Sequence, residues 1–182
     1  LISIYKVNYD NLSLTNKNKE LNHDLNNFID SYKIHGILDN LDKKFVPKRY
    51  ECFFTYSLTK ELLLCKIIEK CNFDGYVYLK DLYKKYLLDN NISLKYWLNY
   101  FTQIIYKLYF LQNNLQFTHC DLKPNNTVCN LVSNEIINYK LINNDEIIDF
   151  ELSNFGHEWL FIDFGFSSLT YNNIYYKSNE FN

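Results

Sequence analysis

Residues 117–126 read Phe-Thr-His-Cys-Asp-Leu-Lys-Pro-Asn-Asn, and residues 162–165 read Ile-Asp-Phe-Gly. In the first block Asp121 stands two positions before Lys123 and five before Asn126. Aspartate, asparagine and proline are also common turn residues, and a lone Asp-Phe-Gly recurs by chance. The first block carries its polar residues at fixed spacing, and the second block follows it in order. Together the two blocks favour a functional site over ordinary turns.

The two blocks resemble, in the same chain order, the catalytic loop and the metal-binding loop of the eukaryotic protein kinases. A lysine two positions after the aspartate is the arrangement of serine/threonine kinases rather than tyrosine kinases. The resemblance implies ATP- and Mg²⁺-dependent transfer of a phosphoryl group to a serine or threonine hydroxyl of a protein substrate. A long insert between the blocks also makes the chain similar to the kinase-like proteins of large DNA viruses.

The resemblance implies a role for each residue of the two blocks. Asp121 would accept the proton of the substrate hydroxyl, and Lys123 would place a positive charge beside the phosphoryl group in transfer. Asn126 and Asp163 would hold Mg²⁺ through hard oxygen atoms and, with Lys123, contact the nucleotide. His119 would support the loop rather than touch the substrate.

Composition limits the other function classes. The chain has 182 residues and a net charge of −2, which gives no electrostatic footprint for nucleic acid or an anionic membrane. Its apolar runs are too short for a transmembrane helix. Five cysteines form no Cys-x-x-Cys pair, which favours reduced thiols and an intracellular location, the host cytoplasm if the source is viral. Because the chain lacks methionine and begins at Leu1, we expect a fragment of a longer product.

The amino-terminal part departs from the kinase pattern. Residues 1–56 are polar and poorly defined, with one short amphipathic helix expected at 21–29, and we expect residues 1–50 to be loosely attached. Gly36 is the only glycine before Gly75, so the glycine-rich phosphate loop of the family is absent.

Periodicity predicts a helix over 57–71, which by order would stand for the family's αC helix. Glu61 would then be the candidate ion-pair partner of a nucleotide-binding lysine, for which Lys48 is the best available residue. Both Glu61 and Lys48 also fit the simpler interpretation of surface charges.

The carboxy-terminal part, 57–182, is predicted to be a partial kinase-like catalytic domain that is truncated after the Asp-Phe-Gly segment. Apolar residues three and four positions apart predict a helix over 93–112 with Trp97 buried, and a further helix is predicted over 78–88. Strands are predicted at 127–131, 135–142, 146–152 and 158–162, the middle two forming a hairpin. The predicted class is therefore α+β and kinase-like: mostly the helical large lobe, with a β-hairpin insert and a reduced or degenerate small lobe.

Two other functions stay open. An inactive pseudokinase or kinase fragment would act as a protein-interaction module, which the missing phosphate loop favours. A small-molecule phosphotransferase of the antibiotic-kinase type shares the His-x-Asp loop, but Lys123 and the Asp-Phe-Gly block argue against it. The sequence leaves the oligomeric state unknown.

Overall fold

The computed structural model describes residues 2–6, 14–41, 44–58, 62–85, 90–143 and 146–178. In chain order its elements are β1 (Ile2–Lys6), α1 (Leu14–Asp39), β2 (Arg49–Tyr56), β3 (Leu62–Ile68), β4 (Phe73–Asp74), α2 (Gly75–Lys85), α3 (Asn90–Leu115), a 3₁₀ turn (Pro124–Asn126), β5 (Thr127–Leu131), β6 (Ile136–Asn143), β7 (Glu146–Ser153), β8 (His157–Phe161), β9 (Ser168–Tyr171) and β10 (Ile174–Lys177). The strand pairs in these ranges are antiparallel. No helix among the described residues is long and apolar enough to cross a membrane. The class is mixed helix and sheet, as predicted.

The chain forms two compact units, each assembled from separate sequence segments. Unit 1 comprises Leu1–Lys70, Thr118–Asp121 and Asp163–Asn182, and unit 2 comprises Cys71–Phe117 and Leu122–Ile162. Neither unit is one continuous segment, so the predicted boundary after residue 56 stays a prediction.

In unit 1, a three-stranded sheet has the order β1–β3–β2. The helix predicted over 57–71 is wrong, because Leu62–Ile68 is the central strand of this sheet. A short apolar run fits either a buried helix or a buried strand. Strands β1 and β2 flank β3 and satisfy its backbone hydrogen-bonding groups on both sides. The periodicity of the run could not reveal these two partners. Leu64 of β3 is fully buried against Phe28 of α1.

Helix α1 is much longer than the short helix predicted at 21–29 and contributes to the core of unit 1. Its side chains Phe28, Ile34 and Leu38 are all buried. Since burial of this kind offsets the entropy of ordering the chain, it weighs against the loose attachment predicted for residues 1–50, which limited proteolysis would test.

Strands β9 and β10 form a hairpin in unit 1, directly after the Asp-Phe-Gly block. Its turn residues Asn172 and Asn173 both have positive φ, 50° and 62°. Two consecutive left-handed residues characterise the tight type I′ turn, and asparagine tolerates this conformation better than most residues. The backbone N–H of Ser178 then donates to the carbonyl of Ser167 at 2.9 Å, and its hydroxyl donates to the carbonyl of Asn27 in α1 at 3.2 Å.

In unit 2, a three-stranded sheet has the order β4–β5–β8, and β6 and β7 form a separate hairpin. These strands confirm the predictions at 127–131, 135–142, 146–152 and 158–162 to within a residue or two. Helix α2 begins three residues before the predicted start at 78. On α3, Gln103 accepts from the backbone N–H of Trp159 at 3.1 Å and donates to the carbonyl of His157 at 2.9 Å. These two bonds tie the helix to β8.

The predicted helix over 93–112 is confirmed as α3, but its buried face differs from the expectation. Trp97 is only half-buried, and the tryptophan that fills the core is Trp159 of β8, with 1% of its surface exposed. Its ring lies 4.8 Å from that of Tyr100, edge to face. Apolar residues cover more than one side of α3, and the structure leaves Phe101 half-exposed. The prediction of a buried Trp97 is therefore wrong.

Candidate active site

The predicted site residues are divided between the two units. Asp121 and Asp163 belong to unit 1, whereas Lys123 and Asn126 belong to unit 2. Asp121 is half-buried, Asp163 and Lys123 are exposed, and Asn126 is buried. In each unit, backbone hydrogen bonds hold the segment that carries these residues.

In unit 1, the segment before Asp121 pairs with the segment after Asp163. The backbone N–H of Thr118 donates to the carbonyl of Ser168, and that of Ser168 donates back to the carbonyl of Thr118, both at 2.9 Å. The two hydroxyl groups also lie 2.7 Å apart. This isolated antiparallel bridge fixes in register the two segments that carry the predicted catalytic carboxylate and the predicted metal-binding carboxylate.

Next to this bridge, two rings from the two predicted loops pack together. His119 and Phe164 are both buried, and their ring centroids lie 5.6 Å apart. The carbonyl of His119 also accepts a hydrogen bond from the hydroxyl of Ser167 at 3.1 Å. The buried ring and the accepting carbonyl agree with the expectation that His119 supports the loop.

A second histidine, His35 of α1, contacts Phe164 in unit 1 at a centroid distance of 5.4 Å. Its Nε2 lies 2.7 Å from the carbonyl oxygen of Pro47 and must donate, since that oxygen can only accept. Burial lowers the pKa of His35 to about 4, so the ring is neutral at physiological pH. No sequence motif marks His35, because the contact joins residues far apart in the chain.

Two residues of these loops have left-handed backbone conformations. Cys120, directly before Asp121, has φ 60°, and Asp163 has φ 63°. Such conformations cost a non-glycine residue roughly 1–3 kcal/mol and persist only where the surrounding structure enforces them. Aspartate tolerates the left-handed region better than cysteine does. Positive φ beside the predicted catalytic Asp121 and at the predicted metal ligand Asp163 supports a functional role for both segments.

In unit 2, a 3₁₀ turn fixes Asn126. The N–H of Asn126 donates to the carbonyl of Lys123 at 2.9 Å, and the hydroxyl of Thr127 donates to the carbonyl of Pro124 at 2.8 Å. The carbonyl of Asn126 accepts from the N–H of Ile162 at 3.0 Å, where the chain leaves β8. Asn126 is therefore held on both sides of the turn by the backbone.

Gly75, the first residue of α2, packs directly against this turn. A Cβ atom added at Gly75 would lie 2.2 Å from the hydroxyl oxygen of Thr127 and 2.6 Å from the carbonyl oxygen of Pro124. Any larger residue would collide with the turn that carries Asn126. Sequence reasoning missed this contact of Gly75, because it has no local signal.

The donor types of the predicted set fit a magnesium ion. Mg²⁺ takes carboxylate and amide oxygens and commonly keeps several waters or phosphate oxygens in its shell. Asp163 offers an exposed carboxylate, and Asn126 offers a side-chain amide oxygen. Among the described residues, no group of three or more histidine, cysteine or acidic side chains could hold a metal ion.

The predicted lysine–glutamate pair stays a prediction. Glu61 lies outside the described residues, and the helix expected to carry it is replaced by β3. Lys48 is exposed, and its backbone N–H donates to the Glu69 carboxylate oxygen Oε2 at 3.0 Å. Glu69 also forms an ion pair with Lys44 at 3.1 Å.

Sequence reasoning considered Lys48 but not Lys6 as a candidate nucleotide-binding lysine. Lys6 is the last residue of β1 and stands opposite Leu63 of β3 in the register. The alternation Ile-Ser-Ile-Tyr-Lys over 2–6 is the signal that could have identified the strand.

Comparison of the chain with models of known protein families and with curated protein sequences finds no match.

Proposed function

We propose that this chain carries the catalytic and metal-binding loops of a protein-kinase-like phosphotransferase, which transfers a phosphoryl group from ATP to a serine or threonine hydroxyl of a protein. The observation that carries the proposal is the pairing of Thr118 with Ser168 in unit 1. This bridge joins the His-x-Asp segment to the Asp-Phe-Gly segment, so that two blocks far apart in sequence become neighbours.

In this proposal each residue has a distinct task. Asp121 positions the substrate hydroxyl and accepts its proton, while Lys123 offsets negative charge on the phosphoryl group as it moves. Asn126 and Asp163 would hold the magnesium ion. Bound magnesium supplies charge neutralisation at the phosphate oxygens.

Mg-ATP binding can be tested on the full chain by thermal unfolding. We expect Mg-ATP to raise the melting temperature, EDTA to remove the shift, and Asp163→Asn to abolish it. Asp81→Asn is the matched control, because Asp81 is an exposed aspartate on α2 outside both loops. A shift that survives Asp163→Asn, or no shift with the parent chain, would contradict the proposed metal site.

The nucleotide-binding lysine is open to the same assay. Lys6 and Lys48 are the two candidates, one in a strand of the unit 1 sheet and one in the loop before β2. If either lysine contacts the nucleotide phosphates, its replacement by methionine should weaken Mg-ATP binding, whereas the other replacement should leave it unchanged.

A non-catalytic interaction module is the second candidate. The chain has four glycines and no glycine-rich phosphate loop, so one element that covers phosphate in kinases is missing. Incubation with Mg-ATP labelled at the γ-phosphate and general protein substrates separates the two candidates. Stable folding without label transfer or nucleotide binding would favour the module.

A further inference from the structure

Strand β2 lies at the end of the unit 1 sheet. The strand order β1–β3–β2 leaves one side of β2 without a neighbouring strand among the described residues. An edge strand presents unpaired N–H and carbonyl groups in a row, and these can pair with a strand of another chain. At eight residues, Arg49–Tyr56 is longer than many edge strands in stable proteins.

The side chains of β2 are unusually apolar for an exposed edge. Tyr50, Phe54 and Tyr56 have 58%, 57% and 71% of their surfaces exposed. Within the strand only Arg49 and Glu51 carry charge, and the strand contains no lysine or proline, the residues that commonly protect edges from pairing. A bulge interrupts the register between Arg49 and Glu51, but the stretch from Cys52 to Tyr56 carries no charge, proline or bulge that would prevent pairing.

The two most exposed aromatic residues of the regular part of the strand, Phe54 and Tyr56, lie on one face. Cys52 and Phe54 stand opposite Lys66 and Leu64 of β3 in the register, and paired residues share a face. Helix α1 covers that face at β3, where Lys66 donates to Ser31 at 2.7 Å. At β2 the same face is exposed, which leaves an aromatic stripe with room for a further strand beside it.

The strand is complementary to itself. If two copies pair antiparallel about Phe53, Cys52 stands opposite Phe54 of the partner, both in the regular part of the strand beyond the bulge at Tyr50. Glu51 then faces Thr55, so no two like charges oppose each other. Cross-strand pairs of aromatic residues stabilise a sheet, while directly opposed like charges destabilise it.

We propose that β2 is a self-association surface, on which a second copy of this chain pairs through its own β2 in the antiparallel register centred on Phe53. The two sheets join into one continuous sheet with two-fold symmetry, and the aromatic stripes of both copies merge on one face. This inference does not depend on the proposed function, because it uses none of the residues of the candidate active site.

The register can be tested by charge reversal, with sedimentation velocity of the full chain over a range of concentrations. The parent chain should dimerise. Cys52→Lys with Phe54→Lys would oppose lysines at two symmetric positions and should weaken the dimer by about tenfold or more. Cys52→Lys with Phe54→Glu would oppose lysine with glutamate at the same positions and should restore dimerisation. The positions are exposed in the chain, and circular dichroism would confirm that both variants fold.

A cross-link tests the same register without disrupting the strand. Phe53→Cys combined with Cys52→Ser places two thiols directly opposite each other, within the Cα separation that a disulfide requires. Mild oxidation with copper phenanthroline should give a dimer whose disulfide maps to position 53 by mass spectrometry, and Cys52→Ser alone should not.

Three results would overturn the inference. The first is a chain that stays monomeric at all concentrations, and the second is equal dimerisation of the two charge variants with no disulfide at position 53. The third concerns the exposed stripe of α3, to which Phe101 belongs. If Phe101→Lys dissociates the dimer while the paired lysines on β2 do not, then α3 and not β2 is the interface.

Discussion

The backbone N–H of Ile162 donates to the carbonyl oxygen of Asn126 at 3.0 Å. This bond extends the pairing of β5 with β8, in which Thr127 stands opposite Phe161, by one step beyond the strands. Asn126 begins one side of this pair, and the chain passes from Ile162 directly into Asp163 on the other. The strand pair of unit 2 thus ends at Asn126 on one side and at Ile162 on the other.

Asp121→Ala separates a catalytic role from a structural one. If Asp121 acts on the substrate hydroxyl, the substitution should lower kcat by orders of magnitude and change the free energy of unfolding little. Phosphate transfer and urea unfolding of the same preparation measure both quantities. A loss of stability in proportion to the loss of activity would instead identify Asp121 as a residue that holds its loop.

Gly75→Ala should destabilise the chain although alanine favours helices. The added Cβ would lie 2.2 Å from the hydroxyl oxygen of Thr127, and overpacking of this kind typically costs about 1–3 kcal/mol. Urea denaturation measures the change, with Val77→Ala as control because Val77 is exposed on the same helix. Equal stability of the two variants would show that the turn yields to the extra carbon without cost.

Trp159→Ala should cost more stability than Trp97→Ala. Trp159 is fully buried against Tyr100, and emptying a core aromatic site typically costs about 3–5 kcal/mol. Trp97 is half-buried, and its ring stacks on the half-exposed Phe101 at a centroid distance of 5.7 Å. Its replacement by alanine therefore removes less buried side-chain surface. Denaturation of both variants, followed by circular dichroism, gives the comparison directly. The reverse order of stability would mean that α3 buries the face predicted from its sequence.

Mild acid should destabilise unit 1 through His35. Burial lowers the pKa of His35 from 6.5 to about 4, so between these pH values the unfolded state binds a proton that the folded state does not. The free energy of unfolding should therefore be unaffected by His35 above pH 6.5. It should fall as pH decreases from 6.5 to 4, by up to about 3 kcal/mol. Urea titrations at a series of pH values measure this slope.

His35→Gln is the control for that slope, because its amide can still donate to Pro47 but does not titrate. The slope should become shallower in this variant without vanishing, since burial also lowers the pKa of His157 in unit 2. An unchanged slope would assign the acid sensitivity to other groups.

The sequence by itself determined the elements whose signals are local. The spacing of apolar residues along 93–112 predicted α3, because that periodicity is a property of one helix. The two neighbouring alternating stretches at 135–142 and 146–152 predicted the β6–β7 hairpin for a similar reason. The two polar blocks at 117–126 and 162–165 were also visible from residue types and spacing alone.

Only the tertiary structure decided the features that depend on residues distant in sequence. The run 62–68 became a strand because β1 and β2 supply pairing partners on both sides, whereas its own periodicity fits a helix equally well. Trp159 rather than Trp97 is buried because burial depends on what packs against a face, and an apolar side chain reports only that burial would be favourable. The bridge between Thr118 and Ser168 and the contacts of Phe164 with two histidines likewise join segments whose sequences carry no sign of each other.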